Sequence, residues 1–505
     1  MVRLCAAVLA LCFLIPPAAR ADDAYTPTTL TAVEVLQKAG VARGELTAGT
    51  YAIVSRSHVG GLDQTHTTYT DGANVITHAV AGPFATAYGT YGQQDWDQDE
   101  NGIVTLDTNF HERENPNARA LDHPEDPANR VTMLGVTQTS PALYAIDVNP
   151  ANGEHQILYY ATDTFLLARS VTWEKDRLKH VATYDGYRRV FGSTRAFHTS
   201  YSDGRTDNDT DSKVVSFAPV KTAVDFHIPA SRSILTFPSA QPFRLPVRFI
   251  DGTIIVRATV NGRGLDFQLD TGSSGMTINP DVAHDLGLTA YDRRSGTIGG
   301  SFDESRTIVP DISIGDLHVR NAVFDELPIT NNFPDVKVVG LLGFDFISNA
   351  VLAIDFKKQT LTFYPPGSAL PSSGAPVTRM PIALDDGVPR VAASFNGIAG
   401  NFLIDTGSVP TILFQHYVQT VPDRWTVNAS DYSIQYVGGD VVAQELQLKD
   451  FSFGPLEFAH IYVLEPESSK GELTDYDGII GQTVLGYYVM YLDYANRQVY
   501  LQPND

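Results

Sequence analysis

The tetrapeptide Asp-Thr-Gly-Ser occurs twice in the chain, each time between two apolar runs, and this repetition constrains the fold of the second half. The first copy lies in "LDFQLDTGSSGMTIN" at residues 270–273, and the second lies in "GNFLIDTGSVPTILF" at residues 405–408. Each apolar run is typical of a buried strand, and the glycine permits a tight turn after the acid. We therefore expect both carboxyl groups to lie at depth and to point into a cleft.

Longer stretches around the motif also repeat in the same order. "GLLG" at residues 340–343 follows the first copy, and "GIIG" at residues 478–481 follows the second at nearly the same distance. A Pro/Gly/Ser segment, "PPGSALPSSGAPV", separates the two halves. The pattern predicts an internal duplication, with one repeat over residues 246–366 and another over residues 379–505.

Two facing acids can perform both proton transfers of a hydrolysis. Carboxyl groups at short range across a pseudo-twofold axis cannot both ionise, so they share a proton. The charged group then activates a water, and the protonated group polarises a carbonyl and protonates the leaving nitrogen. Asp270 and Asp405 are therefore the candidate catalytic residues, and the hydroxyls of Ser273 and Ser408 can donate to them. The candidate residues that support the active-site loops are the glycine and serine of each motif, Gly272, Ser273, Gly407 and Ser408.

With these motifs, residues 246–505 resemble the aspartic peptidases of the retropepsin and pepsin type. The resemblance implies a mainly β fold, in which two tandem retropepsin-like acid-protease β-barrel domains form a pseudo-dimer behind an antiparallel β-rich domain. It implies that Asp270 and Asp405 are the catalytic pair, and that Thr271 and Thr406 interlock across the axis. The "GLLG" and "GIIG" turns are then expected to pack beside the active-site loops.

The resemblance also implies two glycine-rich flaps, "IGGSFD" at residues 298–303 and "YVGGDV" at residues 436–441, which close over an extended peptide. The candidate flap residues are Gly299, Gly300, Phe302, Tyr436, Gly438 and Gly439. The copies differ in detail, because Val409 and Pro410 stand where the first copy has Ser274 and Gly275. We expect the two halves to act on substrate unequally.

The first residues, "MVRLCAAVLALCFLIPPAARADDA", are typical of a secretory signal that occupies residues 1–21. Its apolar core is too short to span a bilayer, and no other run reaches about 18 apolar residues. We expect an exported protein, periplasmic or secreted, of the bacterial type and without an integral membrane segment. Cleavage after Ala21 removes Cys5 and Cys12, so the mature chain is expected to contain no disulfide or thiol nucleophile.

Residues 22–235 contain many short alternating runs, such as "TYAIVSRSHV" and "QILYYAT", that predict an antiparallel β-rich domain. The domain is similar to the half-barrels of lipoprotein-carrier-like periplasmic proteins, which can hold an apolar chain. A structural domain that orients or inhibits the peptidase, or a removable propeptide, is an open alternative. "DQDENGIVTLDT", from Asp97 to Thr108, resembles a calcium loop, but it lacks the final glutamate and favours a β-hairpin turn.

The formal net charge of −22 argues against nucleic acid as the main partner. The histidines form no H-x-x-x-H pair, so we expect no helix-borne zinc site, and no metal or cofactor. The leading hypothesis is an aspartic endopeptidase with a peptide or protein substrate, a mildly acidic optimum and activity as a monomeric pseudo-dimer. The alternatives are a non-catalytic periplasmic binding or carrier protein, and a dyad formed between two chains.

Overall fold

The computed structural model describes residues 24–107, 116–151, 153–174, 177–239, 241–297, 300–329, 331–333, 335–365, 368, 377–468 and 476–504. The predicted secretory signal lies outside the described residues, and so does the candidate flap residue Gly299. Most of the described residues are in β-strands, so the prediction of a mainly β chain is confirmed.

Residues 24–224 contain strands joined mostly by short turns. The strands are β1 (Tyr25–Thr26), β2 (Tyr51–Val59), β3 (Leu62–Thr70), β4 (Val75–Ala81), β5 (Phe84–Tyr91), β6 (Gln94–Gln98), β7 (Val104–Asp107), β8 (Val131–Thr137), β9 (Leu143–Val148), β10 (His155–Ala161), β11 (Leu167–Glu174), β12 (Arg177–Asp185), β13 (Arg188–Val190), β14 (Ser193–Arg195), β15 (His198–Ser202) and β16 (Thr210–Pro219). The helices are α1 (Ala32–Arg43) and α2 (Pro116–Asp122), with 3-10 turns at Pro127–Asn129 and Thr206–Asn208.

The described residues divide into two compact units that do not follow a single cut in the sequence. One unit takes the described parts of 1–59, 63–72 and 110–224, and the other takes those of 60–62, 73–109 and 225–505. The linear division expected near residue 235 therefore differs from the observed units, because the hairpins of residues 73–107 belong with the duplicated half. Ile103 explains this placement, since it is buried in the same apolar core as Leu235 and Ile254.

The first unit is built on an antiparallel sheet in which β8 to β12 follow one another, continued by β15, β16 and β2. Successive residues of β10 point to opposite faces of this sheet. Leu158 packs with Val35 of α1 and Ile146 on one face, whereas Tyr159 packs with Val171 on the other. Both faces of the sheet are therefore partly covered by apolar side chains.

The hairpin predicted at residues 97–108 is present in the second unit. Strands β6 and β7 pair antiparallel, with Trp96 opposite Leu106 and Asp97 opposite Thr105. A turn from Asp99 to Ile103 joins them, and the amide of Gly102 donates to the Asp99 carbonyl at 3.0 Å. Thr108 lies outside the described residues.

The first repeat forms a sheet in the order β17-β25-β24-β20-β21-β27-β26, with β19, β22 and β23 paired to its members. Its strands, with those that precede the linker, are β17 (Leu235–Thr236), β18 (Phe243–Leu245), β19 (Val247–Ile250), β20 (Thr253–Val260), β21 (Arg263–Leu269), β22 (Thr277–Ile278), β23 (Tyr291–Thr297), β24 (Ser301–Ile314), β25 (Leu317–Glu326), β26 (Asn331–Phe333), β27 (Val336–Leu342), β28 (Val351–Asp355) and β29 (Thr360–Tyr364). Its helices are α3 (Pro280–Asp285) and α4 (Phe344–Ile347).

The second repeat forms a corresponding sheet in the order β31-β32-β33-β38-β34-β37-β36-β35. The remaining strands are β30 (Thr378–Pro381), β31 (Ala383–Asp385), β32 (Val388–Phe395), β33 (Ile398–Ile404), β34 (Ile412–Leu413), β35 (Arg424–Tyr436), β36 (Gly439–Phe453), β37 (Leu456–Pro466), β38 (Gly478–Ile480), β39 (Tyr488–Asp493) and β40 (Gln498–Pro503). The helices are α5 (Gln415–Val418) and α6 (Gln482–Leu485).

A further sheet draws its strands from both repeats, in the order β18-β29-β28-β39-β40-β30. At its centre β28 of the first repeat pairs antiparallel with β39 of the second, with Leu352 opposite Leu492 and Ile354 opposite Met490. These four side chains are fully buried in one apolar core. The two copies are therefore joined by backbone hydrogen bonds as well as by burial.

Replacing Leu352 with alanine should lower the free energy of unfolding by about 2–5 kcal/mol, because it opens a cavity in this shared core. The control is Val442→Ala on β36, where the side chain is 46% exposed and the expected change is within about 0.5 kcal/mol. Urea denaturation of both variants measures the difference. Equal midpoints would show that the shared sheet does not hold the two repeats together.

Candidate active site

Each Asp-Thr-Gly-Ser loop begins where a strand of its repeat meets the apolar glycine turn of the same repeat. Strand β21 runs parallel to β27, and the amide of Asp270 donates to the carbonyl of Leu342 at 3.1 Å. Strand β33 likewise runs parallel to β38, and the amide of Asp405 donates to the carbonyl of Ile480 at 3.2 Å. The "GLLG" and "GIIG" turns thus lie directly beside the two loops.

The structure brings the carboxyl groups of Asp270 and Asp405 into contact, and they hydrogen-bond each other. Both residues keep partial solvent exposure, although Leu269 and Ile404 immediately before them are fully buried. Because two adjacent carboxylates repel, a hydrogen bond between them requires a proton. With one proton shared between them, the two groups can stay in contact in this geometry.

Glycine is required at the third position of each motif because the acid of the other copy occupies the space of a side chain. A Cβ atom on Gly272 would lie 2.7 Å from Cγ of Asp405, and one on Gly407 would lie 2.5 Å from Cγ of Asp270. These distances are far below van der Waals contact. The close approach of the two loops, rather than an unusual backbone angle, thus selects glycine here.

The threonines of the two motifs form a reciprocal set of hydrogen bonds between the repeats. The Thr271 hydroxyl donates to the carbonyl of Ile404 at 2.8 Å and accepts from the amide of Thr406 at 2.9 Å. The Thr406 hydroxyl donates to the carbonyl of Leu269 at 3.2 Å and accepts from the amide of Thr271 at 3.1 Å. Both side chains are fully buried, so each loop fixes the position of the other.

The serine hydroxyls do not donate to the carboxyl groups, and that prediction was wrong. Ser273 Oγ donates to the carbonyl of Gly275 at 2.9 Å, and Ser408 Oγ donates to the carbonyl of Pro410 at 2.7 Å. A hydroxyl has a single proton, and the tight turn places a backbone carbonyl two residues ahead within its reach. The two serines therefore stabilise the loops rather than the charge.

Backbone amides supply the hydrogen bonds that the acids accept from their own loops. The amide of Gly272 donates to Asp270 Oδ1 at 2.8 Å. Asp405 Oδ1 accepts from the amides of Gly407 at 2.6 Å and Ser408 at 3.2 Å. Donors of this kind favour the charged carboxylate.

Burial is the largest effect on the dyad, and it raises the pKa of both acids. The charge of Asp405 and the hydrogen bond with it raise the pKa of Asp270 further. At Asp405 the hydrogen bond from Asp270 and the amides of Gly407 and Ser408 offset part of the rise in pKa. Asp405 accepts from two amides of its loop and Asp270 from one, so the hydrogen bonds favour the charge on Asp405 and the shared proton on Asp270.

The described flap residues come together at the tips of two hairpins. A Cβ on Gly300 would lie 2.3 Å from the carbonyl oxygen of Gly438, and the reverse distance is also 2.3 Å. In the first hairpin the ring of Phe302 lies over Gly296 of the opposite strand. In the second, Tyr436 pairs with Gly439 across the turn.

Two buried glutamines near the loops were missed by the sequence analysis. Gln268 Nε2 donates to the carbonyl of Gly407 at 3.0 Å, and Gln482 Nε2 donates to the carbonyl of Thr406 at 2.8 Å. Both bonds reach the loop of the second repeat. An alignment of the two copies would have revealed both glutamines, because Leu403 stands at the position that corresponds to Gln268 and Phe344 at the position that corresponds to Gln482.

Within the described ranges, no group of three or more His, Cys, Asp or Glu side chains is arranged to hold a metal ion. No helix in the part of the chain that the structure describes is long and apolar enough to cross a bilayer.

The comparison with protein families finds a match within the first repeat. A family model described as "Aspartyl protease" matches residues 256–346, which include Asp270 and "GLLG". The aspartic proteinase of Irpex lacteus is similar in structure, with 15% identity, a TM-score of 0.35, and coverage of 52% of this chain and 98% of its own.

Two other solved structures are similar over a smaller share of the chain. A LolA superfamily protein from Nitrosomonas europaea has 12% identity and a TM-score of 0.29, with 38% of this chain and 96% of its own covered. A DUF1329 family protein from Desulfovibrio piger has 17% identity and a TM-score of 0.27, with 38% and 92% covered. No curated protein matches the chain.

Replacing Thr271 with valine should lower the free energy of unfolding by at least about 2 kcal/mol, because it leaves the Ile404 carbonyl and the Thr406 amide buried and unpaired. The matched control is Thr307→Val, since Thr307 is equally buried and its Oγ1 has no hydrogen-bond partner among the described residues. That variant should be as stable as the parent or more so. If denaturation shows the same loss for both variants, the reciprocal threonine bonds do not stabilise the pair of loops.

Proposed function

We propose that the chain is an aspartic endopeptidase that hydrolyses peptide bonds with a water activated by Asp270 and Asp405. The observation that carries the proposal is the hydrogen-bonded pair of carboxyl groups at equivalent positions of the two repeats. The repeats act as two retropepsin-like β-barrel domains of one pseudo-dimer. The active species is then a single chain.

The shared proton divides the work between the two acids. Asp405, as the charged member, removes a proton from the water, and the oxygen of that water attacks the scissile carbonyl carbon. Asp270, as the protonated member, donates its proton to the carbonyl oxygen as the tetrahedral intermediate forms. Collapse of this intermediate breaks the C–N bond: the proton now on Asp405 passes to the leaving nitrogen, and one hydroxyl of the intermediate returns a proton to Asp270 as the carboxylic acid product forms. Water supplies both the hydroxyl and the hydrogen that complete the products, so the step needs no cofactor.

The substrate in this proposal is an extended peptide or an unfolded protein segment. Peptides bind such sites by pairing their backbone with strand edges, and pockets for alternate side chains give specificity. The segments around Gly300, Phe302, Tyr436 and Gly438 would close over the peptide. The approach of Gly300 to Gly438 supports this role, since it places both hairpin tips at one point. We also propose that the protein is exported, on the strength of its first residues.

Replacing either Asp270 or Asp405 with asparagine should reduce the cleavage of an unfolded protein at least about 100-fold, because neither acid alone can act as both base and acid. The control is Asp316→Asn, an exposed aspartate in the turn between β24 and β25, and it should retain full activity. The assay follows new peptide termini with and without a statine-type transition-state analogue.

Three outcomes of this assay distinguish the candidates. Cleavage that the analogue inhibits supports the peptidase. Binding of the analogue without cleavage by the parent protein supports the alternative, a non-catalytic binding or carrier protein. Full activity of Asp405→Asn would contradict the shared dyad.

The dyad should also make the stability of the folded chain depend on pH. Because the folded-state pKa of both acids is raised, the folded state binds more protons than the unfolded state above the ordinary aspartate range. Stability is therefore fully present at acidic pH and falls as pH rises through the dyad's titration. Thermal melting from acidic to neutral pH should show this fall, and Asp270→Asn, which removes one buried charge, should flatten it. Parallel curves for the two proteins would contradict the assignment.

A further inference from the structure

A turn outside the duplicated sequence packs beneath the catalytic loop of the first repeat. Asn101, in the turn Asp99–Ile103, is only 3% exposed. Its side-chain Oδ1 accepts from the amide of Val323 at 2.8 Å, and its Nδ2 donates to the carbonyl of the same residue at 3.3 Å. Nδ2 also donates to Asp345 Oδ2 at 2.6 Å. The amide of Asn101 thus joins strand β25 to helix α4.

Asp345 lies directly against the loop that carries Asp270. It belongs to α4, whose first residue, Phe344, donates its amide to the carbonyl of Ser273 at 2.9 Å. Asp345 Oδ2 lies 3.7 Å from the position that a Cβ of Gly275 would take, and Asp325 Oδ2 lies 3.4 Å from it. A displacement of Asp345 therefore acts on residues 273–275, and through them on Asp270.

In the second repeat, the positions equivalent to this contact are joined by two residues of the repeat itself. Thr411 and Thr483 hydrogen-bond through their hydroxyls at 2.9 Å, and the amide of Thr411 donates to Thr483 Oγ1 at 3.0 Å. By the spacing of the two copies, the equivalent residues of the first repeat are Met276 and Asp345. Methionine has no hydroxyl to offer, so the first repeat lacks this bond, and the carboxyl of Asp345 bonds to Asn101 instead.

The turn that presents Asn101 is itself firmly held. Asp99 Oδ1 accepts from the amide of Ile103 at 2.7 Å, and Arg232 Nη2 donates to the carbonyl of Asn101 at 3.0 Å. Glu100 pairs with Arg306, whose guanidinium also donates to Asp292 Oδ2 at 2.5 Å. A turn held in this way can fix the position of the residues that it contacts.

We propose that Asn101 is a positioning residue for the dyad: it fixes Asp345, and so the loop that carries Asp270, from outside the duplicated half. This inference rests on the proposed peptidase function for its kinetic consequences, and on the contacts alone for its structural ones. The hairpin that carries Asn101 thereby supports the active-site loop of the first repeat.

A second contact of Asp345, with the carboxyl group of Asp99 in the same turn, depends on a proton. The carboxyl groups of Asp99 and Asp345 hydrogen-bond each other, and burial raises the pKa of both. The contact between Asp99 and Asp345 is therefore complete at acidic pH and weakens as pH rises and the pair loses its proton, whereas Asn101 Nδ2 can also donate to the Asp345 carboxylate. The polar and charged groups that face this pair and the neighbouring Asp325 include Asp97, Asn101, Glu100, Asp292, Glu304 and Arg306.

The test compares Asn101→Ala with Asn129→Ala, which removes an equally buried amide (5% exposed) from the other unit. Kinetic constants are expressed per active site, titrated with a tight statine-type analogue, so that unfolded protein does not contribute. Asn101→Ala should lower kcat by about 10- to 100-fold, because misplaced catalytic groups slow the chemical step, with KM changed less than about twofold. Asn129→Ala should leave both constants unchanged. An unchanged kcat per site in Asn101→Ala would overturn the proposal.

Hydrogen exchange gives a readout that does not depend on activity. In Asn101→Ala the amides of residues 270–276 should exchange faster, while those of residues 405–411, which Thr411 and Thr483 hold, should not change. Equal exchange at residues 270–276 in the variant and the parent would overturn the positioning role. If the parent protein does not cleave peptides, the proposed function fails, and this experiment still decides the inference.

The variant Asp99→Asn tests whether the contact between Asp99 and Asp345 depends on a proton. Its amide can donate to the Asp345 carboxylate without an added proton, so the contact should survive at higher pH. Protection of residues 270–276 should then persist to higher pH than in the parent, and the alkaline limb of the kcat profile should move upward. Identical pH dependence of protection in the two proteins would contradict a shared proton between Asp99 and Asp345.

Discussion

The contact between two carboxyl groups is the constraint on which the rest of the second unit depends. Asp270 and Asp405 repel each other unless they share a proton, and they stay in contact only because the loops around them are locked. The lock is the reciprocal pair of threonine hydroxyls between the repeats. Glycine at positions 272 and 407 leaves room for the opposite acid. The sheet shared by the repeats then keeps both copies in one register.

The duplication does not make the two halves equal. The second loop receives two glutamine side chains, and Thr411 and Thr483 hold it within its own repeat. The first loop has Met276 where a hydroxyl would be needed, and its supporting acid bonds to Asn101 of a distant turn. A fold built from two copies can in this way divide tasks that one copy cannot combine, since one acid must be protonated while the other is charged. The unequal surroundings of the two loops favour the arrangement in which Asp270 is protonated and Asp405 is charged.

Short-range sequence pattern and repetition were the basis of the predictions that agree with the structure. The repeated motif and its spacing to "GLLG" and "GIIG" indicated that Asp270 and Asp405 would meet, and alternation indicated strands. The serine hydroxyls were assigned to the wrong acceptor, because the turn geometry that brings the Gly275 and Pro410 carbonyls close is not visible in the residue order. The hairpin around Asn101 was placed with its sequence neighbours, because strand alternation shows a buried face but not which core buries it. The available signal was an asparagine between Glu100 and Gly102, and this pattern is equally typical of an ordinary turn.

The most direct test of the central claim is a crystal structure of the protein with a statine-type transition-state analogue. The account predicts that the hydroxyl of the analogue lies about 3 Å from a carboxyl oxygen of both Asp270 and Asp405, in the place of the attacking water. It also predicts that the segments at Gly300 and Gly438 lie over the analogue's backbone. A complex in which the hydroxyl contacts only one of the two acids, or in which the carboxyl groups of a single chain lie apart, would contradict a shared catalytic dyad.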